Sequence, residues 1–566
     1  MNTSLLNNLV ELCARKGVEQ AIICPGSRSA PLTLAFVRNK KIKSRTFSDE
    51  RSAAFVALGI AQQTKTPVVM ICTSGSAAYN FAPAIAEAYF QHTPLLVLTA
   101  DRPNEWIDQL DGQTIRQKEL YGNHVKKYFE LTLDYSHPDS EWHANRIVNE
   151  AINLANTGQK GPVHINVPLR EPLYPSFTSK SEANERSDVR IIENSSTVST
   201  IPQGELEQLH QHINGINKIL IVSGQSNPDQ ELVNILKQVT KAYHWPVAGD
   251  ILSNLHSLPS FCGHTDTFLG QLAESKKVLL QPDLLITFGK SLISKNLKLF
   301  LRKYKPREHW HLQESGDVAD TFQSLTKIIR VNPYHFFSDL VNKSLTVNKY
   351  WSEFSDHWNT TESKTSSILR EFFQKKRGGE FEFVKAIMES LPADCNLHLA
   401  NSMTVRYANH IGLTDSRKDT AVFSNRGTSG IDGCTSTAVG YALAADRLNV
   451  LITGDLAFFY DRNAFWHNYS LPNLFIIVLN NHGGIIFNLI DGPAGLPESE
   501  EYFITRQNLK AKSLATEFGL SYSDGSSDLN AFFKKDKNTK ILELESSQST
   551  NKQIFEEFKK EINKNL

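Results

Sequence analysis

The sequence is poor in anything that would staple or anchor it from outside. Its 566 residues include only six cysteines (Cys13, Cys24, Cys72, Cys262, Cys395 and Cys434), far apart and with no CxxC pair. Neither a disulfide framework nor a thiolate zinc site is expected. Thiols set in apolar stretches read as buried side chains of a reducing compartment. Net charge is absent as well: 60 basic and 60 acidic side chains cancel, so no global field favours nucleic acid or an anionic membrane. No apolar run is long enough to span a bilayer. The opening Met1-Asn2-Thr3-Ser4-Leu5 shows no basic segment followed by an apolar one, so a soluble, cytoplasmic protein is expected. The middle of the chain lacks a GxGxxG fingerprint, which argues against a dinucleotide there.

What is present is a repeated strand-and-helix theme. The chain is too long for one core, and 40% apolar with 10% aromatic residues is ordinary for a globular enzyme. Ala21–Cys24, Val68–Cys72, Leu95–Leu98 and Val163–Val167 are short apolar runs, and the first three lead into turns carrying Gly, Ser or Pro. Strands without polar alternation, each followed by a helix, indicate a parallel sheet covered on both faces. Ser176 to Thr200 turns to Ser, Asn, Glu and Thr and reads as an exposed linker. Strands are expected next at Lys218–Val222 and Leu284–Phe288, then a helical, aromatic and charged stretch ending at Lys375-Lys376-Arg377-Gly378-Gly379. The theme resumes at Thr420–Phe423, Val450–Thr453, Leu474–Leu479 and Lys540–Leu544. The expected fold is α/β with three domains, at 1–180, 200–345 and 375–566, each a mainly parallel sheet flanked by helices.

One pair of turns carries the chemistry. A strand ends in Gly454-Asp455, and a second ends in Asn480-Asn481-His482-Gly483-Gly484, with 25 residues between Asp455 and Asn481. That interval suits one helix, so the strands can be parallel neighbours, with both polar clusters at their carboxyl ends, where open α/β sheets bind ligands. A carboxylate, an amide oxygen and a carbonyl from a Gly-rich turn suit Mg²⁺ or Mn²⁺ that also takes phosphate oxygens. Gly454 and Gly483 leave room for a phosphate. Taken singly, Gly-Asp after a strand is a turn and Asn-Asn a helix cap. Together, at this spacing, they resemble the thiamine-diphosphate signature. Thiamine chemistry also needs an acid beside the aminopyrimidine ring, and the resemblance puts it at Glu50, in Arg45-Thr46-Phe47-Ser48-Asp49-Glu50-Arg51. Without the resemblance, Asp49 is a helix cap and Glu50 a first-turn residue.

The full chain resembles one family, the 2-succinyl-5-enolpyruvyl-6-hydroxy-3-cyclohexene-1-carboxylate synthases of menaquinone biosynthesis. The motifs are Cys24-Pro25-Gly26-Ser27-Arg28-Ser29, Thr73-Ser74-Gly75-Ser76-Ala77, Thr99-Ala100-Asp101-Arg102-Pro103 and Ile115-Arg116-Gln117. Further on stand Asn401-Ser402 with Arg406, Ser424-Asn425-Arg426-Gly427 leading to Ser429-Gly430-Ile431-Asp432-Gly433, and Asn481-His482-Gly483-Gly484-Ile485-Ile486-Phe487. The resemblance implies a transferase with thiamine diphosphate and Mg²⁺ or Mn²⁺, which decarboxylates 2-oxoglutarate and adds the succinyl unit to isochorismate. Those substrates carry four carboxylates between them, for which guanidinium is the fitting partner. Arg28, Arg102, Arg406 and Arg426 stand in turns or near strand ends, with Lys295 beside them as a fifth cation.

Also by resemblance, Ser27, Arg28, Arg102 and Gln113 would face substrate from one subunit, and Ser402, Arg406, Arg426, Ile486, Phe487 and Ile490 from another. Glu50, Ser74, Gly75, Gly427, Ile431 and Gly454 would hold the cofactor, with Ile431 keeping it bent. Asp455, Asn481 and the Gly483 carbonyl would bind the metal. A homodimer is then the minimum and a homotetramer is expected. Asn296, after Lys295, departs from relatives that carry a second cation there, which would remove one carboxylate contact. Ser76 and His482 are further departures that remove no ligand. Two other readings stay open: another 2-oxoacid decarboxylase or acetolactate-type synthase, and a non-catalytic phosphate binder on the same fold.

Overall fold

The computed structural model describes residues 4–133, 137–174, 189–195, 197–343, 345–489, 492–525 and 528–566. They form three six-stranded sheets, and every strand pairing is parallel. In the first sheet the order is Lys43–Thr46, Gln20–Ile23, Val68–Cys72, Leu95–Asp101, Val163–Pro168, Tyr128–Glu130. The third runs Ala421–Phe423, Cys395–Leu399, Leu448–Gly454, Leu474–Asn480, Lys540–Glu545, Ser521–Asp524. Numbered by chain order within each sheet, these two orders are identical. The outer domains therefore share a topology without a sequence repeat. The middle sheet is different: Lys327–Ile329, Glu308–Leu312, Leu284–Phe288, Ile219–Ser223, Val247–Gly249, Phe261–Cys262.

The central strands match the apolar runs because helices cover both faces. Val68–Cys72, Leu284–Phe288 and Leu474–Asn480 are buried at every residue, so no polar face is needed. All six cysteines are buried and free.

Two helices join the outer domains. Glu50–Thr64 starts at Asp49, whose side chain accepts from the Ser52 N–H, and ends at Lys65 in the left-handed region. Ser52 through Ala61 is buried without a break, because Cys434–Ala444 packs across it, also almost wholly buried. Small residues permit the approach. A Cβ on Gly59 would lie 2.1 Å from the Thr437 carbonyl oxygen, and one on Gly440 would lie 2.2 Å from that of Val56. One hydrophobic core consequently runs from Ile22 and Phe55 through Val439 to Ile476.

The charged and aromatic stretch after the middle domain is one helix, Lys349–Phe372. Its Trp351 packs in a core of the middle domain and its Ile368, Leu369 and Phe372 in that of the third. The cluster at Lys375–Gly379 is the turn before helix Glu380–Ser390. The expected linker falls largely on 175–188 and 196, outside the described residues; 189–195 and 197–200 hold no helix or strand. Among the described residues, no helix is long and apolar enough to cross a membrane.

Candidate active site

Leu448–Gly454 and Leu474–Asn480 lie side by side with Gly454 opposite Leu479, so Asp455 and Asn481 emerge together at the carboxyl end of the third sheet. The expected helix between them is a short one, Asp455–Tyr460, that begins at Asp455 itself and is followed by a turn of 3-10 helix, Arg462–Phe465. Asp455 Oδ1 accepts from the Leu456 N–H at 2.9 Å and Oδ2 from Gln507 Nε2 at 2.7 Å. Asn481 Nδ2 donates to Glu380 Oε1 at 2.6 Å, and its Oδ1 accepts from Gln548 Nε2 at 3.1 Å. Burial raises the Asp455 carboxyl above its usual range, against hydrogen bonds from Gln507, Leu456 and Gly483. Burial, opposed by the Asn481 bond and reinforced by the Asp455 charge, pushes Glu380 up to about 8.

This donor set fits a hard divalent cation that shares a diphosphate. It offers one carboxylate, one amide oxygen and the Gly483 carbonyl, too few for an all-protein cage. Among the described residues no group of three or more His, Cys, Asp or Glu could hold a metal. Beside Gly454 the position of a Cβ has nothing within 4 Å, which leaves space for phosphate against the strand end. Ile431 packs with Ala400, Cys434 and Ala457, on the helix that Asp455 begins.

The substrate-side residues of this domain form a second group. Arg426 Nη1 donates to Asn401 Oδ1 at 2.9 Å, while Asn401 Nδ2 donates to the carbonyls of Asn425 and Gly430, each at 2.6 Å. The buried Arg426 Nε has no hydrogen-bond partner among the described residues. Arg406 Nη1 donates to the Ser402 carbonyl at 2.5 Å. Arg406 lies inside helix Met403–Ile411, which follows the Cys395–Leu399 strand, so it stands in a helix near a strand end and not in a turn. Burial and the Arg426 charge lower its basicity. The Gly427 N–H is taken by Glu87 of the first domain at 2.8 Å, so Gly427 could offer a ligand only its carbonyl. Ile486 and Phe487 open helix Ile486–Leu489, with the Phe487 ring 5.7 Å from that of Phe503. Ile490 lies outside the described residues.

In the first domain, Arg28 Nη1 donates to the Leu169 carbonyl at 2.9 Å, and its Nε is buried without a partner among the described residues. Burial, then the nearby Arg102 charge, lowers Arg28 below the usual guanidinium range. Arg102 Nη1 donates to Ser74 Oγ at 2.6 Å and Nε to Asp111 Oδ2 at 3.0 Å. The Gly75 N–H donates to Gln117 Oε1 at 3.0 Å, and the Gln113 backbone lies against Gly75. Ser27 precedes Arg28 in the turn after the Gln20–Ile23 strand. Glu50, half-buried, is the first residue of its helix. Burial, with the Asp49 charge adding, raises its carboxyl above the usual range.

Within the chain these are two half-sites. No hydrogen bond among the described residues joins Glu50, Arg28 or Arg102 to the Asp455–Asn481 group. The residues flanking Glu50 bond to the far end of the helix that Asp455 begins and to the turn after it: Arg51 donates to the Tyr460 carbonyl at 2.8 Å, and Asp49 Oδ2 accepts from Asn463 at 2.7 Å. Lys295 is exposed at the start of helix Lys295–Lys303. Asn296 is committed to the Asp266 end of a neighbouring helix, donating from Nδ2 to the Asp266 carbonyl at 2.7 Å. Glu380, Gln507 and Gln548 were not foreseen, being remote in sequence from the residues they hold. A faint signal existed for Gln548, because it follows a strand, Lys540–Glu545, that pairs with Leu474–Asn480.

Residues 4–123 match the family described as thiamine pyrophosphate enzyme, N-terminal TPP binding domain, and residues 190–399 match the middle domain of thiamine pyrophosphate enzymes. A protein of Cytophaga hutchinsonii named 2-succinyl-5-enolpyruvyl-6-hydroxy-3-cyclohexene-1-carboxylate synthase is 44% identical over 562 residues, 98% of each chain. Proteins of the same name are 38% identical in Flavobacterium johnsoniae, over 99% of each chain, and 35% identical in Porphyromonas gingivalis, over 97% of this chain and 96% of that one.

Proposed function

The chain belongs to the 2-succinyl-5-enolpyruvyl-6-hydroxy-3-cyclohexene-1-carboxylate synthase family of thiamine pyrophosphate enzymes, and on that premise we propose how its two half-sites carry the reaction. The protein is a transferase of menaquinone biosynthesis that joins the succinyl part of 2-oxoglutarate to isochorismate with loss of CO₂. When bound, thiamine diphosphate supplies a nucleophilic thiazolium carbon and an electron sink for the decarboxylation.

Asp455, Asn481 and the Gly483 carbonyl hold Mg²⁺ or Mn²⁺, and the open face of Gly454 admits the diphosphate. Ile431 would support the cofactor, with Ser74, Gly75 and the Gly427 carbonyl around it. Glu50 holds the proton it shares with the pyrimidine ring nitrogen, and its raised carboxyl suits that task. Arg28 and Arg102, with Ser27 and Gln113, bind carboxylates from one side. Arg406 and Arg426, with Ser402, bind them from the other, and Lys295 adds charge at the rim. Ile486 and Phe487 form an apolar wall that excludes water from the reacting carbon. By family likeness the working site is formed by two subunits, with Glu50 of one facing the metal group of the other. The protein is a homodimer at least and a homotetramer by family likeness, in the cytoplasm.

The observation that carries the substrate reading is a pair of buried guanidinium N–H groups, Nε of Arg28 and Nε of Arg426, each without a partner among the described residues. An unmade bond on a buried charge is costly, and a ligand carboxylate would make it. Protein with thiamine diphosphate, Mg²⁺, 2-oxoglutarate and isochorismate should consume isochorismate and release CO₂. Acetolactate or aldehyde made from pyruvate, with isochorismate untouched, would show the other class of thiamine enzyme instead.

A further inference from the structure

Gln548 is the first residue of the last helix, Gln548–Asn565, set after Ser547 as its cap, and it is buried at 6% exposure. A buried side-chain amide must find hydrogen-bond partners, and those of Gln548 lie outside its own helix. The amide makes two bonds in opposite directions. Its Nε2 donates to Asn481 Oδ1 at 3.1 Å, and its Oε1 accepts from Asn488 Nδ2 at 3.0 Å. Nε2 also lies 2.8 Å from where a Cβ on Gly483 would stand. Two of the three positions assigned to the metal, Asn481 and Gly483, are thus touched by one amide. Its other end holds helix Ile486–Leu489, which carries Ile486 and Phe487.

The directions of these bonds are consistent along the chain of amides. Glu380 accepts from Asn481 Nδ2, which leaves Oδ1 to face away from it. An amide oxygen has two lone pairs, so one can accept from Gln548 while the other meets a cation. Asn488 gives its amide N–H to Gln548, which leaves that glutamine only its own N–H to offer Asn481. With Glu380 as the acceptor at one end, this orientation of the three amides makes every bond.

We propose that Gln548 is a positioning residue that couples the metal end of the site to the substrate-facing helix Ile486–Leu489. The inference rests on the reading of Asn481 and Gly483 as metal ligands. Through Gln548, a cation that fixes Asn481 also fixes Asn488, and with it the apolar wall. Partners behind metal ligands of this kind affect affinity by roughly 10–100-fold.

The test is Mn²⁺ binding in the presence of thiamine diphosphate, followed by the loss of the free-ion paramagnetic signal, with hydrogen exchange read at residues 486–489. In the wild-type protein, Mn²⁺ with thiamine diphosphate should slow exchange at 486–489. Gln548→Leu should weaken Mn²⁺ binding by about 10-fold or more and abolish that slowing. Asn488→Ala should leave Mn²⁺ affinity within a factor of about two yet also abolish the slowing, because it cuts only the second bond. Thermal unfolding of each variant checks that it is folded. Folded Gln548→Leu protein that binds Mn²⁺ like wild type overturns the proposal, as does slowing that survives in Asn488→Ala. Asp455→Asn separates the two levels of failure. If it abolishes Mn²⁺ binding while Gln548→Leu does not, the coupling alone is wrong. If Asp455→Asn also binds normally, the metal site is misassigned and the coupling falls with it.

Discussion

Substituting Gly440 by alanine adds one methyl group where the outer domains meet, and the structure says what it would strike. The new Cβ would sit 2.2 Å from the Val56 carbonyl oxygen and 3.0 Å from the Gly59 Cα. Both neighbours are backbone, so neither can rotate away. Ordinary contact needs about 3.5 Å, and the two helices must therefore part by roughly 1 Å. Overpacking of this kind costs about 1–3 kcal/mol, and the better helix propensity of alanine returns about 1 kcal/mol at most. The net expectation is a loss of about 1–2 kcal/mol, which lowers the first thermal transition by roughly 2–8 °C. Gly204→Ala is the matched control, since Gly204 lies in helix Gln203–Asn214 with nothing within 4 Å of its Cβ position. Differential scanning fluorimetry of both variants side by side decides the matter. Gly440→Ala protein as stable as Gly204→Ala would refute the close helix crossing.

Asp461 is buried, accepts from the Ser436 N–H and Oγ, and is pushed by burial from 3.8 up to about 7. A raised carboxyl contributes stability that is full below its unfolded pKa and is lost as pH rises to the folded one. Asp461→Asn should therefore gain stability relative to wild type between pH 5 and pH 8, by up to about 3 kcal/mol; a gap that does not change with pH would contradict the assignment. Arg426→Ala should raise KM for the substrates roughly 10–100-fold, the size of a charge-assisted bond, while thiamine diphosphate still binds. Loss of cofactor binding instead would move Arg426 to the cofactor. Asp455→Asn should make turnover depend on much higher Mg²⁺, with thiamine diphosphate affinity falling in parallel, as a titration of both would report.

The strands that position the site were readable because covered parallel strands need no polar residues: Val68–Cys72 and Leu284–Phe288 appear with their expected limits. Cys395–Leu399 was overlooked, although it lies inside the third sheet. Its Asn396 and His398 look like surface residues but are buried, both bonded to Asn449 Oδ1 at 3.1 and 3.0 Å. Lys43–Thr46, Tyr128–Glu130 and Ser521–Asp524 escaped notice as short, polar edge strands. Asp455 and Asn481 could be paired because both immediately follow neighbouring strands. Their supports could not: Glu380 and Gln548 reach Asn481 from helices 101 and 67 positions away, and nothing local marks a long-range bond. Arg406 is near a strand end yet helical, because a helix follows its strand after only three residues, Ala400 to Ser402.

The central claim is that Glu50, on the far half-site from the metal pair, is the acid that activates thiamine. The direct measurement is CO₂ release from 2-oxoglutarate by Glu50→Gln protein, saturated with thiamine diphosphate and Mg²⁺ as judged by titration. Saturation should be reached at concentrations close to those of the wild type, with CO₂ release lower by roughly 10²–10⁴-fold, the usual worth of a positioned acid. Release at the wild-type rate from saturated Glu50→Gln protein would contradict the claim.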